Sequence, residues 1–278
     1  MKYMVNTNNA QEWLNRTIHQ TRRQSVIYIF PEGFETSGYD LEEHNILYVP
    51  RYPLLEGELD LSDFTSVKTI KIEGHLITKL NLTGCQQLRI LKAENNQLRK
   101  VIWPQYNDNQ ISPLVIIDLT NNDFAARNLS EFSRFVNLAD LSLGTDDRVK
   151  ISQNIYNRWN GSLEPLQNLH KLMVLNISGT DIDSGVEYLS VKEFSCFAFG
   201  NSGRTEAGVN AIQLYLKRVL GLLIEGSELN DWANNEGDYN DENLAYEKVG
   251  DICNWIENYR ITEQTRLLVQ TMQAHLPR

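Results

Sequence analysis

"VKTIKIEGHLITKLNLTGC", Val67 to Cys85, is followed two residues later by "LRILKAENNQLRKVIW", Leu88 to Trp103, and both run through apolar-x-apolar, a turn and a second apolar set. Fainter copies begin at Leu114 ("LVIIDLTNNDF"), Leu138 ("LADLSLGTDD"), Lys171 ("KLMVLNISGTDI") and Val191 ("VKEFSCFAFG"). Recurrence at about twenty-one residues between Ile27 and Cys196 is the signature of a solenoid, in which each turn of chain stacks on the one before. The central pairs read Ile27/Ile29, Leu47/Val49, Ile70/Ile72, Leu91/Ala93, Ile117/Leu119, Leu141/Leu143, Leu175/Ile177 and Phe194/Cys196.

Alternate residues of a strand point to opposite faces, so each pair is expected to face the core and its neighbours to face outward from a parallel sheet. The second half of each copy carries its own apolar residues, such as Leu59, Leu61 and Phe64, then Ile77, Leu80, Leu82 and Cys85. Phe64 and Cys85 fall at equivalent places, so Cys85 reads as a small core residue. Cys196 is expected to be buried in the place of a Leu or Ile.

This pattern resembles the leucine-rich repeats, most clearly from Leu47 to Phe199. The resemblance implies an α/β solenoid with a curved parallel sheet on its concave face and an irregular or short-helical convex side. It also implies an Asn five places after the first residue of each pair, whose amide bonds the backbone of adjacent turns. Asn96 and Asn122 fit, while His75, Asp146, Thr180 and Phe199 fill the place elsewhere.

Solenoid ends need covers, because an open rung exposes apolar core and a strand edge. Asn9 with Glu12 predicts a capped helix, "AQEWLNRT", as an N-terminal cap. After Thr205, the residues Ile212, Leu216, Val219, Leu220 and Leu223 form a helical stripe suited to closing the last rung. Further helices are expected about Asp241 to Tyr259 and after Thr262. The division is then a cap helix and first strand over 1–45, repeats over 46–202 and a helical cap domain over 203–278. The longest gap between pairs, Leu143 to Ile177, inserts a segment bearing Tyr156, Arg158 and Trp159, which either contact a partner or plug their own repeat.

Composition narrows the function. A net charge of -10 and a pI near 5.1 oppose a general nucleic-acid role, which needs clustered Lys and Arg. The start has no apolar signal region, and the longest apolar run, Val219 to Ile224, is too short to insert in a membrane. Three widely spaced cysteines are unlike paired disulfide caps, so a cytoplasmic location is expected. Asn-x-Ser/Thr triplets at Asn15, Asn81, Asn128, Asn160 and Asn176 therefore need not carry glycans. Scattered histidines support no metal site, and no motif calls for a cofactor. "DWANNEGDYNDE", Asp231 to Glu242, fails as a calcium loop, since Ala233 and Glu236 stand where an oxygen ligand and a glycine belong.

The outward positions carry the functional expectation. Their N-terminal part is aromatic (Tyr28, Tyr48, with Arg51 beside them). The middle holds Lys71, Glu73, Lys92 and Glu94, and the C-terminal part is small, polar and acidic (Asp118, Thr120, Asp140, Asn176, Glu193). With Trp159 on the insertion, these are the candidate contacts for a protein or peptide partner. The family resemblance implies a recognition module without catalysis. The alternative is a regulatory or ubiquitin-ligase-type module using Cys253 as nucleophile or Arg218 as a charge clamp.

Overall fold

The computed structural model describes residues 8–35, 45–107, 110–189 and 196–219. The described residues begin with two short helices, α1 (Ala10–Thr17) and α2 (Gln20–Arg23), and continue through β1 (Tyr28–Pro31), β2 (Ile46–Val49) and β3 (Glu56–Asp60). Strands β4 (Thr69–Lys71), β5 (Leu76–Asn81), β6 (Ile90–Lys92), β7 (Lys100–Ile102), β8 (Ile116–Asp118) and β9 (Asp140–Ser142) follow. After α3 (Arg148–Ser152) come β10 (Asn160–Ser162), β11 (Val174–Asn176), β12 (Asp181–Ser184), β13 (Cys196–Ala198) and α4 (Val209–Val219).

The strands make a parallel-sheet solenoid. Eight of them form the main sheet in the order β13-β11-β9-β8-β6-β4-β1-β2, while β3-β5-β7 and β10-β12 form two smaller sheets. Where the back of the coil is not a strand it tightens into 3-10 turns at Ser130–Phe132, Glu164–Leu166 and Val186–Tyr188. Ile29, Leu47, Ile70, Leu91, Ile117, Leu141, Leu175 and Phe197 are register partners across the main sheet, and all are buried. A second row, Ile72, Ala93, Leu119, Leu143 and Ile177, stacks beside it, with the N–H of each bonded to a carbonyl of the next turn. Stacking apolar residues this way removes them from water along the whole coil, which is where its stability originates.

Beside these rows runs a polar ladder. Asn96 Oδ1 accepts from Ile77 N–H, and its amide donates to the carbonyls of Ile72, Ala93 and Glu94. Asn122 repeats the arrangement one turn later, with Leu98 N–H and the carbonyls of Ala93, Leu119 and Thr120. His75 takes the same place earlier: its Nδ1 accepts from Leu55 N–H, and burial lowers its pKa, keeping it neutral for that role.

In the next turn the ladder residue is Asn157, not Asp146. Asn157 Oδ1 accepts from Phe124 N–H and its amide donates to Leu119, Leu143 and Gly144. The extra residues of this repeat enter between the strand and its ladder position, and they fold back over earlier turns. Asp147 caps α3, and Lys150 Nζ donates to the carbonyls of Asn96 at 2.9 Å and Asn121 at 2.7 Å. Asp146 pairs with Asn121 instead.

The N-terminal helix forms as its sequence predicts. Asn9 Oδ1 accepts from Glu12 N–H at 2.9 Å, Ala10 and Leu14 are fully buried, and Gln11 Oε1 accepts from Asp60 N–H on β3. The helix thus covers the edge of the β3-β5-β7 sheet. At the far end, α4 packs on β12 with Val209, Ile212 and Leu216 buried. A Cβ on Gly208 would lie 2.4 Å from the Asp181 backbone, so only glycine lets the helix approach this closely. The helices expected about Asp241 to Tyr259 and after Thr262 lie outside the described residues.

Three expectations of register need correction. First, β1 lies between β2 and β4, so the strand order departs from chain order at the N-terminal end. β1 is apolar on both faces, which suits an interior place, and β2 carries Tyr48, whose hydroxyl tolerates the edge. Second, the β1 residue in the core row is Ile29, with Pro31 following, while Ile27 is only half-buried. Third, the last inward pair is Phe197/Phe199, both buried, and Cys196 is half-buried on the opposite face. The run from Phe194 to Phe199 carries apolar residues in both parities, with Ser195 as its one polar member, and a one-residue slip exchanges the faces. Cys85 meets its expectation: it is fully buried, its Sγ lies 3.2 Å from Leu61 O, and burial pushes the thiol up to about 12.

Candidate functional site: the outward face of the main sheet

Because the inward rows are fixed, the outward ones follow from the pleat. One row runs Phe30, Tyr48, Lys71, Lys92, Asp118, Ser142, Asn176 and Ala198 in order of chain, and another runs Tyr28, Ile46, Thr69, Ile90, Ile116, Asp140, Val174 and Cys196. Past the strand ends, Glu73 and Glu94 sit on adjacent turns, joined by Gly74 N–H to Glu94 O. The structure therefore brings together Lys71, Glu73, Lys92, Glu94, Asp118 and Asp140.

At the N-terminal side, Tyr28 stacks on Phe30 at 5.5 Å and Phe30 on Phe34 at 4.4 Å. Phe30 is fully buried beneath this group. Lys71 Nζ lies 4.0 Å from the Phe34 ring centre and 5.7 Å from that of Phe30. A cation over an aromatic face is held by the ring quadrupole, so the ammonium is drawn toward the rings. Lys71 is half-buried, not simply solvent-facing. Burial and the Lys92 charge lower its pKa, against the opposing pull of Glu73 and Glu94. Tyr48 stands 42% exposed on β2, and Arg51, exposed, donates from Nε to Glu32 O at 2.8 Å.

In the middle, burial first and then the Asp118 and Glu73 charges push Glu94 up to about 7. One oxygen of Glu73 and one of Glu94, Oε2 in each, are shielded from solvent without a hydrogen bond. Farther along the sheet the polar groups satisfy one another. Asp118 Oδ1 accepts from Thr120 N–H and hydroxyl, Ser142 donates to Asp140, and Asn176 Oδ1 accepts from Ser178 N–H. Thr120 is consequently buried at 9% exposure. Burial raises the pKa of Asp140, partly offset by Ser142.

Trp159 does not belong to this surface. It is fully buried against Phe124 at 5.0 Å and Phe132 at 5.2 Å, so the insertion's large ring fills its own repeat. Its neighbours are also occupied: Arg158 bonds Asp123 and Asn154 O and lies over Tyr156 at 4.2 Å. Glu193, Cys253 and the Asp231 to Glu242 stretch lie outside the described residues, and Arg218 falls within α4.

Sequence reasoning missed Phe34 and Asn157. Phe34 follows a tight turn, with its N–H bonded to Pro31 O and Gly33 at φ +75°, and no repeat-period signal marks it. Asn157 had a signal. In every ladder turn the polar residue precedes an apolar one by two places: His75/Ile77, Asn96/Leu98, Asn122/Phe124, Thr180/Ile182 and Asn157/Trp159.

No protein-family model matches the chain, and comparison with curated proteins gives no match. Among the described residues no helix is long and apolar enough to cross a membrane.

Proposed function

We propose that the protein is a leucine-rich-repeat-type recognition module that docks a protein or peptide partner on the outward face of its main sheet, without catalysis of its own. The stacked apolar rows and the ladder at Asn96 and Asn122 support the family reading. The observation that carries the binding reading is the zone around Lys71, Glu73, Lys92 and Glu94. These charged side chains share one sheet face, yet among the described residues no ion pair joins either lysine to either glutamate. Outward sheet faces that serve only solubility need no such concentration of half-buried charge beside half-buried aromatic rings.

A steric block tests this without altering net charge. Ile90→Trp/Ile116→Trp places two large rings on the outward face, where aromatic residues suit a strand. Cross-linking followed by partner identification should show captured proteins lost at least tenfold relative to the unmodified chain, with the melting temperature little changed. Undiminished capture would show the face to be bystander surface.

A further inference from the structure

Glu73 and Glu94 are placed at a cost the fold does not recover. Each presents a carboxylate oxygen shielded from water without a donor, and a buried acceptor left unpaired loses its hydration for nothing. The arrangement of neighbours adds to that cost. Lys71 and Lys92 are register partners, so like charges stand directly opposite, and Glu73 and Glu94 likewise occupy adjacent turns. Exchanging one Lys with one Glu would interleave the signs. Instead, Lys71 is drawn over Phe34, within electrostatic reach of both glutamates but in an ion pair with neither. Asp118 and Asp140 act on the same charges, giving four carboxylates against two ammonium groups in this zone. The contrast with the rest of the face is chemical: Asp118 and Asp140 have hydroxyl or N–H donors of their own, and the shielded glutamate oxygens have none.

Resting on the reading of this face as a docking surface, we infer that its occupant is an extended segment of a protein partner carrying Arg or Lys, whose cationic head group pairs with the accessible side of the half-buried Glu73 and Glu94 carboxylates and offsets the charge that their shielded oxygens leave unpaired. A guanidinium fits particularly well, since its forked donors span two neighbouring oxygens. Toward the starts of β6 and β8, the same segment meets Ile90 and Ile116, so its basic residue is accompanied by apolar ones. The overall charge of -10 draws such a partner in before contact.

The probe is a fluorescent hexa-arginine peptide, with hexa-glutamate and a Gly-Ser hexapeptide as comparisons, measured by anisotropy with the full chain. Binding should favour hexa-arginine and weaken at least tenfold in Glu73→Gln/Glu94→Gln. It should change less than twofold in Glu56→Gln/Glu164→Gln, which removes the same charge from exposed positions elsewhere. Circular dichroism should show both variants folded. Equal weakening in the two double variants would reduce the effect to net charge and overturn the inference. A preference for hexa-glutamate would overturn it in favour of an acidic partner held by Lys71 and Lys92, and absence of binding by any peptide would also overturn it. If Ile90→Trp/Ile116→Trp abolishes partner capture while the glutamate pair is irrelevant, only the basic-partner inference falls. If that tryptophan variant leaves capture intact, the docking-face reading falls with it.

Discussion

The asparagine ladder and the glutamate strip lie only a few residues apart in each turn, and they treat buried polarity in opposite ways. Asn122 is fully buried, and its amide meets one N–H and three carbonyls. Glu94, four places after Ile90, keeps an oxygen from solvent and offers it no donor. Both belong to neighbouring turns of the same coil. The first arrangement closes the hydrogen-bond accounts of the backbone where it bends. The second leaves one oxygen of each glutamate without a donor, even though the Glu94 carboxylate also meets its own backbone N–H. A side chain that the fold burdens itself with and only partly uses is where function is best sought.

The comparison predicts opposite responses to removing the polar group. Asn122→Leu keeps the approximate shape but strands four backbone partners. Urea unfolding should show a loss of about 3–5 kcal/mol, because unpaired buried groups each cost about 1–3 kcal/mol. A loss below about 1 kcal/mol would mean that the ladder merely decorates the stack. Lys150→Met should be milder, at about 1 kcal/mol, since the stem remains and the carbonyls of Asn96 and Asn121 regain water. Its hydrogen exchange should quicken in the turns at Asn96 and Asn121, and unchanged exchange there would remove α3 from the account.

The strip should respond to pH. The Glu94 carboxyl is raised in the folded chain to about 7 from an ordinary value of 4.5. The folded state therefore holds an extra proton between those values, so stability should rise as pH falls from about 8 toward 5. The gain is on the order of 1 kcal/mol once its partial exposure is allowed for. Asp140 shifts in the same direction. Glu94→Gln should flatten the profile, and an unaltered slope would assign it to other groups.

Much of this is legible in the sequence because period and parity are physical constraints. Ile72, Ala93, Leu119 and Leu143 do stack as successive layers, and Asn96 and Asn122 do bridge turns. Legibility failed where parity was ambiguous or distance in sequence misled. The Phe194 to Phe199 run reads equally well in both phases, and only packing at the coil's end decides for Phe197 and Phe199. β1 and β2 exchange places because pairing order is a matter of tertiary contact, which no local pattern records. In the longest repeat, counting five places gave Asp146, whereas the insertion moved the ladder to Asn157. Among the site residues, the alternation alone placed Lys71, Lys92, Asp118 and Asn176 outward. The seat of Lys71 on Phe34 and the missing donors at Glu73 and Glu94 depend on side-chain geometry.

The most direct test sets the two regions side by side in one experiment, urea unfolding at pH 8 of Asn122→Leu and of Glu73→Gln/Glu94→Gln. The account predicts that the first loses several kcal/mol, about 3 or more, while the second matches or exceeds the unmodified chain, by up to about 1 kcal/mol. A glutamate double variant destabilised by more than about 1 kcal/mol would show that the carboxylates serve the fold after all, and would contradict the account.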